Sequence, residues 1–193
     1  MTWLNIAKII DATEAEGPGL RTAIWTQGCL KRCQGCCNGE FLRIKPAIIQ
    51  DVSEIIKRIE SNQVKYGIEG ITLLGGEPFI QAEGLSIIAS SCQKLGLSVM
   101  IFTGYMLDEL VEQSFKGSIN LLKYTDILVD GEFDINQIEE KRNWVGSKNQ
   151  MFNYLTSRYS EEIETMPITT TNEWRIGSDG SIIGNGLPFK LKI

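Results

Sequence analysis

The sequence predicts an α/β fold, an open and mostly parallel sheet or a partial (β/α) barrel, on three observations. Short apolar runs of strand character recur along the chain: Gly70-Ile71-Thr72-Leu73-Leu74, Leu97 to Phe102, and Asp126-Ile127-Leu128-Val129-Asp130. Segments of helical period separate them. Glycine-bearing turns follow the strands at Gly75-Gly76 and Thr103-Gly104. Repeated strand–helix units imply parallel pairing with right-handed crossovers. Four or five such units are too few for a complete eight-unit barrel.

The elements follow in order. Trp3 to Ala7 reads as an opening strand and Glu16-Gly17-Pro18-Gly19 as a turn. Thr22 to Gln27 is β-rich and leads directly into a cysteine loop. Asp51 to Lys65 carries Val52, Ile55, Ile56 and Ile59 on one helical face, with Asp51 or Ser53 available as the N-cap. Ala82 to Leu95 reads as a helix closed by Gly96, and Leu107 to Phe115 as another. Ser147 to Tyr159 is expected to begin a helix. Glu173 to Ile176 and Ser181 to Ile183, joined through Ser178-Asp179-Gly180, read as a β-hairpin. The chain is expected to be one domain over 1–193, with a core of about 16–160 and a C-terminal hairpin extension of about 161–193.

Composition narrows the chemistry. The 193 residues are 42% hydrophobic and 22% charged, with a net charge of -5. Those are the proportions of a soluble globular chain, and the acidic balance speaks against a nucleic-acid partner. The dense basic spot, Lys31-Arg32, is too short for a phosphate footprint and reads as a solvated loop face or a local dock for an anionic surface. The first residues show no signal-peptide pattern, and no apolar run reaches the roughly 20 residues of a membrane span. A cytoplasmic, membrane-free protein is expected, whose cysteines serve as thiolates, metal ligands or buried thiols. The chain has no histidine, which excludes His-based acid/base chemistry and the common His-ligated zinc enzymes.

Five cysteines occur, at positions 29, 33, 36, 37 and 92. Cys29, Cys33 and Cys36 form a CxxxCxxC loop. Three thiolates suit three irons of a cubane cluster and leave the fourth iron open to a small chelating molecule. A zinc knot is the alternative, but it needs a fourth ligand, and Cys37 is adjacent to Cys36. Cys92 falls in a predicted helix and reads as a buried small hydrophobe. Cys37 reads equally as a packing residue or as a neighbour of a cofactor.

The stretch Leu74-Gly75-Gly76-Glu77-Pro78 ends a strand with two glycines and an acid. Glycine permits close approach of backbone to a ligand, and the Glu77 carboxylate suits a ligand ammonium. In open parallel sheets ligands bind at the carboxyl ends of the strands. The cysteine loop, Gly75-Gly76-Glu77 and Asp130 all fall there.

With these two motifs the chain resembles the radical S-adenosylmethionine (SAM) superfamily, whose signature is CxxxCxxC followed by a GGEP-type motif. Within it, the chain resembles the glycyl-radical-enzyme activases through Glu16-Gly17-Pro18-Gly19-Leu20-Arg21, Trp25-Thr26-Gln27-Gly28-Cys29, Thr103-Gly104-Tyr105, Asp126 to Gly131 and Gly146-Ser147-Lys148-Asn149-Gln150. The short length and the last two stretches most resemble the branch that activates anaerobic (class III) ribonucleotide reductases. Two positions depart from the activase pattern. Cys37 stands where a histidine is usual, and Asn38-Gly39 replaces Asn-Pro.

The resemblance implies an open partial barrel of the radical SAM type, a [4Fe–4S] cluster on Cys29, Cys33 and Cys36, and SAM as second cofactor. It implies that Gly75, Gly76 and Glu77 hold the SAM amino group and that Gly35, Cys36 and Cys37 present backbone to the adenine. It places Asp130 beside SAM and substrate, and Asn149 near the methionine or ribose. The implied reaction is reductive cleavage of SAM to a 5′-deoxyadenosyl radical, which takes a hydrogen atom from a glycine of a partner protein. The implied reductant is a flavodoxin or ferredoxin. Direct modification of a peptide or small molecule, including a 7-carboxy-7-deazaguanine synthase-like reaction, is the competing enzymatic reading. A structural iron–sulfur or zinc module is the non-catalytic one.

Overall fold

The computed structural model describes residues 2–112, 115–168 and 170–186. The chain opens with an antiparallel pair, β1 (Trp3–Thr13) and β2 (Arg21–Thr26), turned through the Glu16–Gly19 segment. A short edge strand, β3 (Ile48–Asp51), pairs antiparallel with β1 and runs straight into helix α1 (Val52–Tyr66). Then follow β4 (Gly70–Gly75), α2 (Ala82–Lys94), β5 (Ser98–Phe102), α3 (Leu107–Glu112), α4 (Ser118–Lys123) and β6 (Ile127–Asp130). β7 (Met151–Tyr154), α5 (Glu162–Thr165), β8 (Asn172–Ile176) and β9 (Ile182–Gly186) complete the order.

Seven strands form one sheet in the order β3-β1-β2-β4-β5-β6-β7. Its centre, β2-β4-β5-β6, is parallel, and the pairs on either side are antiparallel. β8 and β9 make a separate two-stranded sheet. Every residue of β2 and β4 is buried, as expected of central strands covered on both faces.

The helices follow from local sequence. Asp51 caps α1 by accepting from the Ser53 amide at 2.8 Å, and Gly67, in the left-handed region at φ 68°, ends it. Val52, Ile55 and Ile59 form the buried stripe of α1. With Leu85, Ile88 and Cys92 of α2 and Ile24, Leu73 and Ile101 of the sheet they build the main core. Each such aliphatic side chain contributes about 1.5–3 kcal/mol by its burial. The opposite face of the sheet presents Ala23, Trp25, Leu74 and Phe102 to a smaller cluster, and Met100, Ile127 and Val129 to another with Trp144 and Ile163. The cavity described below lies on that second face.

Three differences from the sequence reading have physical causes. The helix expected from Ser147 is instead β7, paired antiparallel with β6 in the register Val129↔Phe152. Phe152 and Tyr154 alternate onto one side and stack with ring centroids 6.2 Å apart, a period of two that outweighs the helical pattern. β1 runs six residues past Ala7, because Ile9, Ile10 and their neighbours pair with β2. The strand β3 escaped notice because four residues beside a helix cap give little periodic signal. Of the helix expected over 107–115, residues 107–112 are helical and 113–114 lie outside the described residues, as do 187–193 of the expected extension. Cys92 is buried within the main core. Among the described residues no helix is long and apolar enough to cross a membrane.

Candidate active site

The carboxyl end of β2 leads through Gln27 and Gly28 into Cys29, and the carboxyl end of β4 leads into Gly76 and Glu77. These two exits are locked together. The Gly76 amide donates to Thr26 O at 2.8 Å and the Glu77 amide to Gly28 O at 2.8 Å. The glycine pair makes this approach possible. Gly75 stands at φ 107°, and a Cβ on Gly76 would lie 2.2 Å from the Gly28 oxygen. The two glycines therefore bring backbone against the root of the protein's own cysteine loop.

The cysteine loop is pinned from above by Lys31. Its Nζ lies 3.1 Å from Glu132 Oε1 and 3.3 Å from Glu109 Oε1, and 4.3 Å from the centroid of the Tyr105 ring. Burial works against its charge, but Glu132 and Glu109 more than offset this and hold its pKa above the usual lysine value. Lys31 is thus a clamp between the ends of β5 and β6 and the loop, in place of the solvated face expected of the Lys31-Arg32 pair. Glu132 also lies beside the second cysteine, with Cys33 Sγ 3.7 Å from Oε2.

Cys29, Cys33, Cys36, Cys37, Gly75, Gly76 and Glu77 line one cavity of about 440 Å³, within the range of roughly 300–1,000 Å³ usual for small-molecule sites. Burial raises the thiol pKa of Cys29, and burial with the nearby Glu132 raises that of Cys33. Cys36 behaves oppositely: the neighbouring Cys37 thiol holds it down to about 6 and is itself pushed up. Metal ligation needs thiolates. Among the described residues no three Cys, Asp or Glu side chains converge as they would around a single metal ion.

Glu77 is 1% exposed. Its Oε1 accepts from the Phe79 amide at 3.0 Å and Thr103 Oγ1 at 2.9 Å, and its Oε2 from the Gly104 amide at 3.0 Å. Burial pushes its pKa up to about 7 against these hydrogen bonds. A carboxylate has about four acceptor positions, so three donors leave one, on Oε2, for a further partner.

The remaining expected site residues stand elsewhere. Gly35 backs onto Ile135, whose Cδ1 would lie 2.7 Å from an added Cβ. Asp130 Oδ2 accepts from the Leu107 amide at 2.7 Å and so secures the start of α3, while its buried Oδ1 lacks a hydrogen-bond partner. Asn149 donates to Glu132 O at 2.8 Å and borders a separate hollow with Gln34 and Asn136. None of the three lines the main cavity, though Gly131, next to Asp130, does.

Other residues complete the walls: Trp25 and Phe102 from the sheet, Trp144 from the segment before β7, Glu16 from the first turn, and Trp174, Asn185 and Gly186 from the hairpin. Glu16 Oε1 accepts from the Gly186 amide at 2.7 Å and from Asn185 Nδ2 at 3.2 Å, and burial pushes its carboxyl up to about 7. Arg175 donates to Ala12 O at 2.7 Å, and Lys8 to Gly184 O at 2.8 Å. These contacts seat the hairpin on the β1–β2 turn. Periodicity gives no sign of them, because they join residues some 160 to 176 positions apart.

The donor set fits a cluster with a chelating molecule beside it. Three thiols rise from one loop, and a buried carboxylate with an open acceptor position stands on the strand exit locked to it.

Residues 15–153 match the family described as "4Fe-4S single cluster domain". The anaerobic ribonucleoside-triphosphate reductase-activating protein of Enterobacteria phage T4 is 28% identical over 151 residues, 76% of this chain and 92% of that protein. The protein of the same description from Haemophilus influenzae is 31% identical over 155 residues, 77% of this chain and 96% of that protein. Among solved structures, QueE from Escherichia coli superposes over 53% of each chain at 19% identity, with a TM-score of 0.44.

Proposed function

Because the chain belongs to the 4Fe-4S single cluster domain family and is 28% and 31% identical to two anaerobic ribonucleoside-triphosphate reductase-activating proteins over most of their length, we propose that it generates a glycyl radical on an anaerobic ribonucleotide reductase. It is a radical SAM enzyme, and its cofactors are a [4Fe–4S] cluster and SAM. When bound, they supply a 5′-deoxyadenosyl radical that takes a hydrogen atom from the partner's glycine. The observation that carries the assignment is the single cavity lined by Cys29, Cys33 and Cys36 of one loop and by the buried Glu77.

The chain's own residues divide the remaining work. Cys29, Cys33 and Cys36 would hold the cluster, leaving one iron for the amino and carboxylate groups of SAM. Glu77 would accept from the amino group at its open Oε2 position. Cys36 and Cys37 would border the adenine, with Gly35 behind them as a turn rather than a wall. Asp130 would act through the α3 start it secures, and Asn149 through the Glu132 segment, both as positioning residues. Trp25, Phe102 and Trp144 give the cavity apolar walls, which would help to protect a free radical from side reactions. Hydrogen-atom transfer needs no proton acceptor, so a chain without histidine suffices.

The same reading makes the seven-stranded sheet an open partial barrel, with the helices outside and the cavity on its inner face. It makes the chain one domain carrying a C-terminal extension. A one-electron donor such as flavodoxin or ferredoxin would reduce the cluster from the exposed side of the Cys33–Cys37 segment.

The test is anaerobic reconstitution with SAM and a strong reductant, with and without the reductase. Formation of 5′-deoxyadenosine together with a glycyl radical signal in electron paramagnetic resonance is expected. Formation of 5′-deoxyadenosine with a silent reductase would move the enzyme to another substrate.

The Glu77 assignment has its own pH signature. The group is raised to about 7, and its ionised form is the stronger acceptor for the N–H of the SAM amino group. SAM affinity is therefore expected to be constant above about pH 8 and to fall by up to about tenfold per unit below 7. Glu77→Gln should weaken binding by about tenfold or more and flatten this profile, since a charge-assisted hydrogen bond contributes about 1.5–3 kcal/mol. Equilibrium binding of SAM to the reconstituted protein across that range measures both, and an unaltered affinity in the variant would remove Glu77 from the role.

A further inference from the structure

The family match ends at residue 153, and β8 and β9 lie beyond it at Asn172–Ile176 and Ile182–Gly186. The alignments use up 92% and 96% of the two relatives but 76% and 77% of this chain. The hairpin therefore lies outside the shared family region, yet it walls the cavity with Trp174 and Asn185.

Its two faces differ. One carries the polar anchors, with Arg175 tied to Ala12 and Asn185 to the buried Glu16, beside the half-exposed Ile183. On the other, the register Trp174↔Gly184 and Ile176↔Ile182 sets three large apolar side chains in line. Trp174 is 50% exposed, Ile176 78% and Ile182 63%. The strip starts at the cavity wall and runs outward to the turn. A two-stranded hairpin alone is marginal in water, so the docking contacts hold in place an element whose outer side gains nothing from solvent. Apolar strips of this kind mark interaction surfaces, and among the described residues β8 and β9 pair only with each other.

We propose that the β8–β9 hairpin is the docking surface for the glycyl-radical partner: an apolar, extended segment of that polypeptide covers Trp174, Ile176 and Ile182 and leads its glycine into the cavity. The inference rests on the activase reading, which requires a polypeptide at this mouth. The strip is continuous with the cavity and apolar throughout, so it fits an apolar strand of a protein partner.

The test uses the full-length reconstituted protein and the anaerobic ribonucleoside-triphosphate reductase of the same organism. In Ile176→Ser/Ile182→Ser the reductase concentration giving half-maximal radical formation is expected to rise at least tenfold. The 5′-deoxyadenosine formed without reductase should stay at the wild-type rate. Arg175→Ala, which releases the polar face, should lose hydrogen-exchange protection in β8–β9 and raise the same half-maximal concentration. An unchanged half-maximal concentration in Arg175→Ala with the hairpin demonstrably unprotected overturns the proposal, as does an unchanged value in the double variant. If the wild-type protein cleaves SAM but leaves the reductase without a radical, the activase reading fails and the docking surface with it, an outcome distinct from normal activation by both variants.

Discussion

Cys33→Ala is expected to give a folded protein that holds no [4Fe–4S] cluster and forms no 5′-deoxyadenosine. Iron should drop from about four per chain to near zero, because two thiolates cannot retain a cubane whose fourth iron already lacks a protein ligand. The fold should survive, since Cys33 is only half-buried and the loop is held independently through the Lys31 contacts with Glu109 and Glu132 and through the Gly76 and Glu77 amides. Cys37→Ala is the informative control. Cys37 lies beside Cys36 and keeps its proton while Cys36 gives one up. Its loss should leave iron content intact and raise the pKa of Cys36 in the metal-free protein. Iron and acid-labile sulfide analysis of both variants decides the matter. Iron retained in Cys33→Ala and lost in Cys37→Ala would transfer the ligand role from one to the other.

The parts of this molecule that sequence conveys are those whose cause is local. Asp51 ahead of Val52, Ile55 and Ile59 announces a capped amphipathic helix, and the charge-free, largely aliphatic Ile71-Thr72-Leu73-Leu74 run announces a central strand. The cysteine loop and Gly75-Gly76-Glu77 are each contiguous, so their residue types can be read without knowing the fold. β7 was hidden because Met151–Tyr154 becomes a strand only by pairing with β6. The partners of the cavity are hidden for the same reason. Thr103 holds Glu77 from 26 positions away, and Asn185 meets Glu16 from 169. Asp130 and Asn149 show the reverse limit. Each falls at a strand end or a matched stretch, yet the side chains turn to the Leu107 amide and the Glu132 carbonyl. A motif fixes where the backbone goes, and the third dimension decides which way the side chain spends its hydrogen bonds.

The Glu16–Arg21 stretch separates chemistry from stability within six residues. Glu16 lines the cavity, whereas Arg21 is wholly buried at the amino end of the parallel strands. Its guanidinium donates to Thr72 Oγ1 at 2.8 Å, Pro18 O at 2.8 Å, Ser98 Oγ at 2.9 Å and Ile71 O at 2.6 Å. Among the described residues no carboxylate pairs with it, and burial lowers its pKa. Gly17 sits against its stem, where a Cβ would lie 3.0 Å from Cδ. Arg21→Met would relieve the desolvation of the charge but orphan the Pro18 and Ile71 carbonyls. Each orphaned group costs about 1–3 kcal/mol, while the hydroxyls of Thr72 and Ser98 keep the Glu16 and Glu69 carbonyls as partners. A net loss of about 3 kcal/mol is expected, a large share of the roughly 5–15 kcal/mol that stabilises a domain. Thermal melting should fall by about 10 °C at this chain length. Arg21→Lys should recover only part of this, because a single ammonium cannot span acceptors arranged for a planar fork. At a temperature where the Arg21→Met protein is folded, its rate of SAM cleavage per folded chain should match wild type. An unchanged melting temperature, or a rate that falls while the fold is intact, would place Arg21 in the chemistry instead of beneath it.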